Sequence, residues 1–548
     1  MGYDDVIPLL GDFGRYQRRI YFLICIPAIL CAFHKLANVF LHAKVDHRCL
    51  LPSEFPNATY TLDLNTTQEY YPWDNLNSKY SNCSMLVNGT EQSCNKYVYD
   101  TRKYESSIVM EWQLVCSAAY KRATTDSVFM IGVMLGSIGF GELSDRYGRK
   151  IIFFISLVIQ VVFGLLTAVA PEFWTYTIAR AIVGATTSGV FLVAYVIAME
   201  MVGPKKRMIA GTVCQMFFSL GYMLTALFAY YIREWRHLQI ALTVPGIAFF
   251  CYWWFIPEST RWLISKNRIA EAKDLIKIAA KENKVTIPEE ELDRLLESDV
   301  KKLNEEQEKN NTSKPSVLDI FKHANLRKRS LIIFFDWFAN SMTYYGLSWN
   351  TSNLGGNDYL SFVISGAVEI PAYTFVMLTI NRWGRKCVLC GSMVTAGIAL
   401  LITMAVPSSS QWGVVALAMI GKLAITASYG AIYIFSVEQF PTVIRNAGLG
   451  AGSTSARVGS VLAPVINIMS EYWQPLPLII FGALAFIGGC LSLLLPETLN
   501  KQLPETIEDG EKFGREEKGT KDEIESLNVI EKANGLSNQN GHTETNRN

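Results

Sequence analysis

Seven ionisable side chains stand inside long apolar stretches of this chain: His34, Lys35, Arg180, Asp336, Glu369, Lys422 and Arg457. A charge in the middle of hydrocarbon costs at least about 3 kcal/mol unless it meets a partner or water. Residues of this type therefore have two physical uses: an interhelical ion pair that holds a bundle together, or a mid-depth cavity whose charges meet an ionised solute. The ion-pair use fits Arg180, Asp336 and Lys422, and Glu369 and Arg457 are balanced between the two. No catalytic pattern accompanies them. There is no H-E-x-x-H and no G-x-x-x-x-G-K-[ST], and the Gly448, Gly450, Gly452 run lies in an apolar helical stretch, so it is no dinucleotide fingerprint. Cys387-x-x-Cys390 has no His or acidic neighbour to complete a metal site. Neither enzyme chemistry, a cofactor nor a metal is expected, and a net charge of +1 gives no reason to expect nucleic acid.

These residues must be positioned by membrane helices. Half of the residues are apolar and 12% aromatic, and the apolar ones fall in blocks of about twenty, the length that crosses about 30 Å of hydrocarbon. Twelve spans are expected, near 20–41, 124–140, 151–170, 174–198, 208–231 and 238–256, then near 331–349, 360–380, 388–406, 412–435, 446–469 and 476–495. This is an all-α membrane protein of two six-helix halves, 20–256 and 331–495. A cytoplasmic N-terminus (1–19), a charged helical linker (257–330) and a disordered cytoplasmic tail (496–548) complete it. Asp4 and Asp5 occupy the place where a cleavable signal is basic, so none is expected.

Basic residues beside the spans set the orientation. Arg15, Arg18 and Arg19 precede span 1, Arg146, Arg149 and Lys150 separate spans 2 and 3, Lys205, Lys206 and Arg207 separate spans 4 and 5, and Arg382, Arg385 and Lys386 mark the matching loop of the second half. All fall on one side, so both termini are expected in the cytoplasm. The loop 42–123 lies on the other side and carries four glycosylation acceptors, Asn57, Asn65, Asn82 and Asn88, interleaved with Cys49, Cys83, Cys94 and Cys116. It reads as a glycosylated ectodomain stapled by two disulfides, with three pairings open. Asn310 and Asn311 also match the acceptor pattern but fall on the cytoplasmic side and should stay unmodified.

The two halves are copies. Asp145-Arg146-Tyr147-Gly148-Arg149-Lys150 answers Asn381-Arg382-Trp383-Gly384-Arg385-Lys386 at an offset of 236, Glu200 and Arg207 answer Glu438 and Arg445 at 238, and Pro257-Glu258-Ser259 answers Pro496-Glu497-Thr498 at 239. Duplicated bundles place their work between the halves. The repeated basic turns suggest a gate: Asp145 caps a helix start, and Arg146, Arg149, Arg382, Arg385 and Arg445 reach Glu200, Glu438 and nearby helix ends, a charge cluster that exists only while the cytoplasmic side is closed. Gly132, Gly136, Gly184 and Gly189 allow close helix approach.

The string GELSDRYGRK (141–150) looks like the signature loop of the major facilitator superfamily, and Pro257-Glu258-Ser259-Thr260-Arg261-Trp262-Leu263 is similar to the end of its first half in sugar and organic-ion porters. The four-cysteine loop, Glu111-Trp112-Gln113-Leu114-Val115-Cys116, Tyr345-Gly346-Leu347-Ser348 and Phe440-Pro441-Thr442-Val443-Ile444-Arg445-Asn446 together resemble the organic cation, carnitine and organic anion transporter family from about residue 10 to about 505. Within it the chain closely resembles insect organic cation transporters. The resemblance implies the major facilitator fold, a plasma-membrane location and polyspecific movement of small amphipathic organic ions through an aromatic cavity. The family's cavity positions fall on Phe191, Gln215, Phe218, Tyr230, Tyr344, Tyr345, Glu369, Tyr373, Tyr429 and Arg457. Glu369 would supply the counter-charge to a cation. Arg457 departs from the acidic residue of strict cation carriers and matches carnitine and anion carriers, so zwitterions enter the expected range. The rival readings are an organic anion exchanger of the same fold, a channel or receptor-like protein, and a sugar carrier.

Overall fold

The computed structural model describes residues 3–51, 54, 58–74, 79–298, 317–354, 356–407 and 410–514. Twelve spans follow one another. Span 1 is built from Arg15–Cys25, Pro27–Leu36 and Asn38–Leu41; spans 2 to 5 are Tyr120–Tyr147, Arg149–Ala168, Phe173–Glu200 and Arg207–Tyr231; and span 6 runs through Trp235–Thr243, Pro245–Ala248 and the 3₁₀ turns Phe249–Trp254. In the second half span 7 is Ala324–Trp349, span 8 Asp358–Ala367 with Glu369–Trp383, and spans 9 to 12 Arg385–Ile402, Gln411–Gln439, Arg445–Ile468 and Leu476–Ser492.

Eight of these are long and apolar enough to cross a membrane on those criteria alone. The other four depart for identifiable reasons. Span 6 is interrupted at Pro245, which has no N–H to continue the helix. Span 7 carries Arg327, Lys328, Arg329 and Asp336, span 11 carries Arg445 and Arg457 among glycines, and span 12 has 17 residues. Asp336 is tolerated because it faces the other helices, fully buried and accepting from Ser492 Oγ at 2.6 Å, while Arg327 and Lys328 stay exposed at the start of span 7.

Spans 2 and 4 pack tightly, because a side chain at Gly132 or Gly136 would run into the backbone of Ala181 or Ala185. The halves meet through span 2 against span 11 and span 5 against span 8.

The loop after span 1 folds into a small domain of three two-stranded sheets, pairing His47–Cys49 with Tyr97–Tyr99, Trp73–Asp74 with Lys79–Tyr80, and Ser84–Val87 with Thr90–Ser93. Disulfides join Cys49 to Cys94 and Cys83 to Cys116, choosing one of the three pairings the sequence leaves open. His47 lies beside the second bridge, whose sulfurs are already bonded to each other and offer no thiolate to a metal. Arg48 organises the fold, donating to both oxygens of Glu54 at 2.7 Å and to the carbonyls of Cys49 and Tyr60. Asn65 and Asn88 are exposed and Asn82 is half-buried, while Asn57 lies outside the described residues, as do Asn310 and Asn311.

Two expectations about the flanking segments change. The tail was expected to be disordered from 496, yet 496–514 docks on the second half. Thr506 caps the short helix Ile507–Lys512, the Glu511 carboxylate accepts from the backbone N–H groups of Asn325 and Leu326 at the start of span 7, and Arg329 lies over the Phe513 ring. Caps and backbone contacts hold this segment rather than an apolar stripe, so composition does not reveal it; 515–548 lie outside the described residues. Span 7 also begins at Ala324 instead of 331, because that cap accommodates its basic first turns. In the linker, Ile269–Asn283 rests on the N-terminal segment: the Asn283 amide accepts from Tyr16 N–H at 2.9 Å and donates to Leu10 O at 2.8 Å.

Candidate functional site

The duplicated turns have the same construction in both halves. Gly148 and Gly384 adopt φ of +114° and +93°, which side chains rarely accept, and each separates one span from the next. The exposed N–H groups that follow are capped by a glutamate from the end of the same half. Arg149 N–H and Lys150 N–H donate to Glu258 at 2.9 and 3.2 Å, and Arg385 N–H and Lys386 N–H donate to Glu497 at 3.0 and 3.1 Å. Asp145 does not cap a helix start: it lies in the last turn of span 2 and accepts from the Arg149 guanidinium. The cap is Glu258, a residue whose recurrence as Glu497 was visible in the sequence but whose partner was not.

Arg149 also reaches Glu200 at 3.5 Å, and Arg385 pairs with Glu438 at 3.0 Å. Both clusters tie spans within one half. Arg146 and Arg382 remain exposed, and Arg445 donates to Thr442 Oγ rather than pairing with Glu438.

Among the described residues, the ion pairs and ring stacking between the halves lie from mid-depth toward the disulfide domain. Lys103 of that domain pairs with Asp358 at 2.5 Å and Tyr104 donates to the same carboxylate at 3.2 Å. Glu471 meets Lys44 at 3.6 Å and Arg122 at 3.9 Å, and Phe40 stacks on Tyr359. At this end the halves are closed on each other. Tyr230, 51% exposed and packed on Tyr359, belongs to this rim rather than to the centre.

At mid-depth Pro371 lacks the N–H that would continue span 8, and the second segment of the span begins at Glu369. The carboxylate thus sits in a first helical turn, where the helix dipole favours it. Glu369 is fully buried and fully engaged. Lys422 Nζ stands 3.1 Å away, Tyr344 donates to Oε1 at 2.6 Å, and Ser219 of span 5 donates to Oε2 at 2.7 Å. Lys422 in turn donates to Ser348 Oγ and lies 3.4 Å from the centre of the Tyr344 ring. Of the two uses open to Glu369, the structure displays the ion pair, with Lys422.

Beside this pair is a wall of tyrosines. Tyr344 stacks on Tyr429 at 5.7 Å, Tyr345 meets Tyr344 edge-on at 5.1 Å, and Tyr433 meets Tyr429 at 5.8 Å and Trp337 at 4.4 Å. Tyr373 is within electrostatic reach of Glu369, Tyr345, Tyr429 and Tyr433. Across in the first half, Phe191 meets Phe218 at 5.9 Å and stacks on Tyr195, and Gln215 lies one turn before Ser219 on span 5. Arg457 is half-buried beside Tyr345, Tyr429 and Tyr433, and Lys35 of span 1 lies 4.8 Å from the centre of the Tyr345 ring. Tyr433 is 42% exposed although aromatic groups surround it, as expected for the lining of an open space. Thus nine of the ten family positions gather at mid-depth. Lys35, Ser219, Lys422 and Tyr433 join them; the spacing Tyr429 to Tyr433, one helical turn, is a signal that would have found the last.

The comparisons agree with this architecture. The profile of the sugar (and other) transporter family matches residues 62–509. An organic cation transporter protein of Drosophila melanogaster is 58% identical over 94% of this chain and 95% of its own length, and the human organic cation/carnitine transporter 2 is 34% identical over 92% and 93%. Among solved structures, the inward-open conformation of the xylose transporter XylE from E. coli superposes with a TM-score of 0.61 at 15% identity, covering 90% of this chain and 99% of that one, a likeness of fold. The chain is therefore a multi-pass membrane protein of the sugar (and other) transporter family, on the major facilitator branch that holds the organic cation and organic cation/carnitine transporters.

Proposed function

We propose that this chain moves small amphipathic organic ions, cations and zwitterions, across the plasma membrane by alternating access, with both termini in the cytoplasm and the disulfide domain outside. The observation that carries this reading is the tyrosine cluster between two duplicated halves, open at Tyr433, with ionised groups on both sides of it. Aromatic faces attract quaternary and protonated amines by about 0.5–2 kcal/mol each. The halves rock about this centre, exchanging the contacts at the domain end for contacts at the end of the duplicated turns. The two turn clusters act as gating elements: each keeps its half rigid, and exposed Arg146 and Arg382 are available to the opposite half when that end closes. For a monovalent cation a potential of about 60 mV contributes about 1.4 kcal/mol, enough for tenfold accumulation without a co-ion.

One observation favours a second reading, an organic anion exchanger: Lys35 and Arg457 both present positive charge to the cavity, whereas Glu369 is already paired. Uptake of labelled tetraethylammonium, carnitine and p-aminohippurate, compared in transfected cells with the membrane potential clamped or collapsed, separates the readings. Saturable uptake of the first two supports the proposal, uptake of the third alone supports the exchanger, and uptake of none at normal surface abundance rejects both.

A further inference from the structure

A cavity of about 40 Å³ lies between the halves at their closed outer end. The first half lines it with His42, Arg122 and Asp126, the second with Trp349, Ser352 and Asn467. It has room for a metal ion with one or two waters and is too small for an organic ion. His42, which directly follows span 1, is buried, and its Nε2 is held by the Tyr176 hydroxyl at 2.9 Å. Its Nδ1 stands 3.0 Å from Asp126 Oδ1, yet the carboxylate lies off the axis of the nitrogen, and Nδ1 is left without a hydrogen-bond partner. From the other half, the amide N–H of Asn467 donates to Gly346 O at 3.0 Å, while Asn467 Oδ1 is also buried without a partner. The basic groups nearby are engaged elsewhere. Arg122 is 3.9 Å from Glu471, which Lys44 approaches at 3.6 Å, and Arg180 donates to Asn38, whose own amide donates to Asp126 Oδ1 at 2.6 Å.

A nitrogen and an oxygen 3.0 Å apart, one off the axis of the other, have the geometry of neighbouring ligands on one metal ion. Bonds of about 2.1 Å at right angles put two such atoms about 3.0 Å apart. An imidazole anchored through its other nitrogen is also how a metal-ligating histidine is oriented, here by Tyr176. We infer that His42 Nδ1, Asp126 and Asn467 Oδ1 form a site for a divalent transition-metal cation of the nickel or zinc type, entering from the outer side, with water completing its shell. The three ligands come from different parts of the chain, so no spacing in the sequence reveals them. Two belong to the first half and one to the second. A cation held by all three therefore favours the closed outer end and opposes the opening that uptake requires. Binding of the metal stands apart from the transport reading above; only its effect on uptake rests on that reading.

The test uses nickel ion as the probe. Extracellular Ni²⁺ should inhibit uptake of labelled tetraethylammonium by lowering Vmax with little change in KM, and it should raise the Tm of the purified protein. His42→Ala and Asp126→Asn should each raise the concentration for half-inhibition by about tenfold or more and abolish the Tm shift, and Asn467→Ala should weaken both effects. His237, exposed and paired with Glu234, is the competing surface site, and His237→Ala should leave inhibition unchanged. Inhibition of His42→Ala at the wild-type concentration, or inhibition lost in His237→Ala instead, would overturn the site. So would a wild-type Tm that Ni²⁺ does not raise, whereas inhibition that raises KM alone would overturn the clamp. A wild type that binds Ni²⁺ in the Tm assay but takes up none of the organic ions at normal surface abundance would support the site and remove the transport reading.

Discussion

Glu369 and Lys422 form an ion pair 3.1 Å long, closed off from solvent on both sides and braced by Ser219, Tyr344 and Ser348. Ser219 comes from the first half, whereas the other four residues come from the second. The pair therefore belongs to the second half and lends one hydrogen bond to the contact between halves. A carboxylate so engaged is a structural partner first. Breaking such a pair from one side leaves a buried charge, which costs about 3–5 kcal/mol.

Glu369→Gln and Lys422→Gln should accordingly each lower surface abundance and the Tm of the purified protein. Glu369→Gln combined with Lys422→Met should recover much of the Tm, since no unpaired charge is left. Thermal unfolding in detergent reads this directly, and single variants as stable as wild type would show that the pair is not structural.

The turn caps make a second prediction. A β-carbon at Gly148 or Gly384 meets the capping glutamate and forces a side chain into an extended conformation at positive φ, which costs about 1–3 kcal/mol. Gly148→Ala and Gly384→Ala should lower the Tm and slow transport in parallel, and Glu258→Gln and Glu497→Gln should do so more mildly. Wild-type stability in the alanine variants would count against the caps.

Asp145 is exposed and pairs with Arg149 within one half. If the turns gate transport, Asp145→Asn should reduce turnover with surface abundance little changed. A normal rate of uptake per molecule at the surface would remove Asp145 from the gate.

The pair Lys103 to Asp358 holds the disulfide domain against the second half. Asp358→Lys places two like charges there and should increase labelling of a cysteine introduced at Ser352, in a pocket that both halves line with Asn38, Asp126 and Trp349, by a membrane-impermeant thiol reagent. Adding Lys103→Asp should reverse the increase. Labelling that ignores both changes would mean that this contact does not hold the end closed.

The disulfide domain offers a last check. Glycosidase should shift the mobility of the protein, and replacing Asn57, Asn65, Asn82 and Asn88 together by Gln should abolish the shift. A shift that survives all four changes would put the domain on the wrong side or the glycans elsewhere.

Much of this protein is written in its sequence because the bilayer constrains it so strongly. Apolar runs of about twenty residues, basic residues on one side and three landmarks repeated at one offset define the twelve spans and the two halves without tertiary information. Breaks at Pro245 and Pro371 are likewise local, since a missing N–H acts wherever the chain goes. The tyrosines and the ionisable groups are also visible as types in spans.

Tertiary structure alone decided which charge meets which. Glu369 and Lys422 stand on different spans 53 residues apart, and only the packing of span 8 against span 10 turns a candidate counter-charge into half of an ion pair. The same packing brings Lys35 of span 1 onto the Tyr345 ring of span 7, sets Tyr230 at the rim, and brings Glu258 and Glu497 onto the turns they cap. The disulfide pairing and the docking of 496–514 belong with these. Each depends on distances across the fold, which no periodicity along the chain encodes.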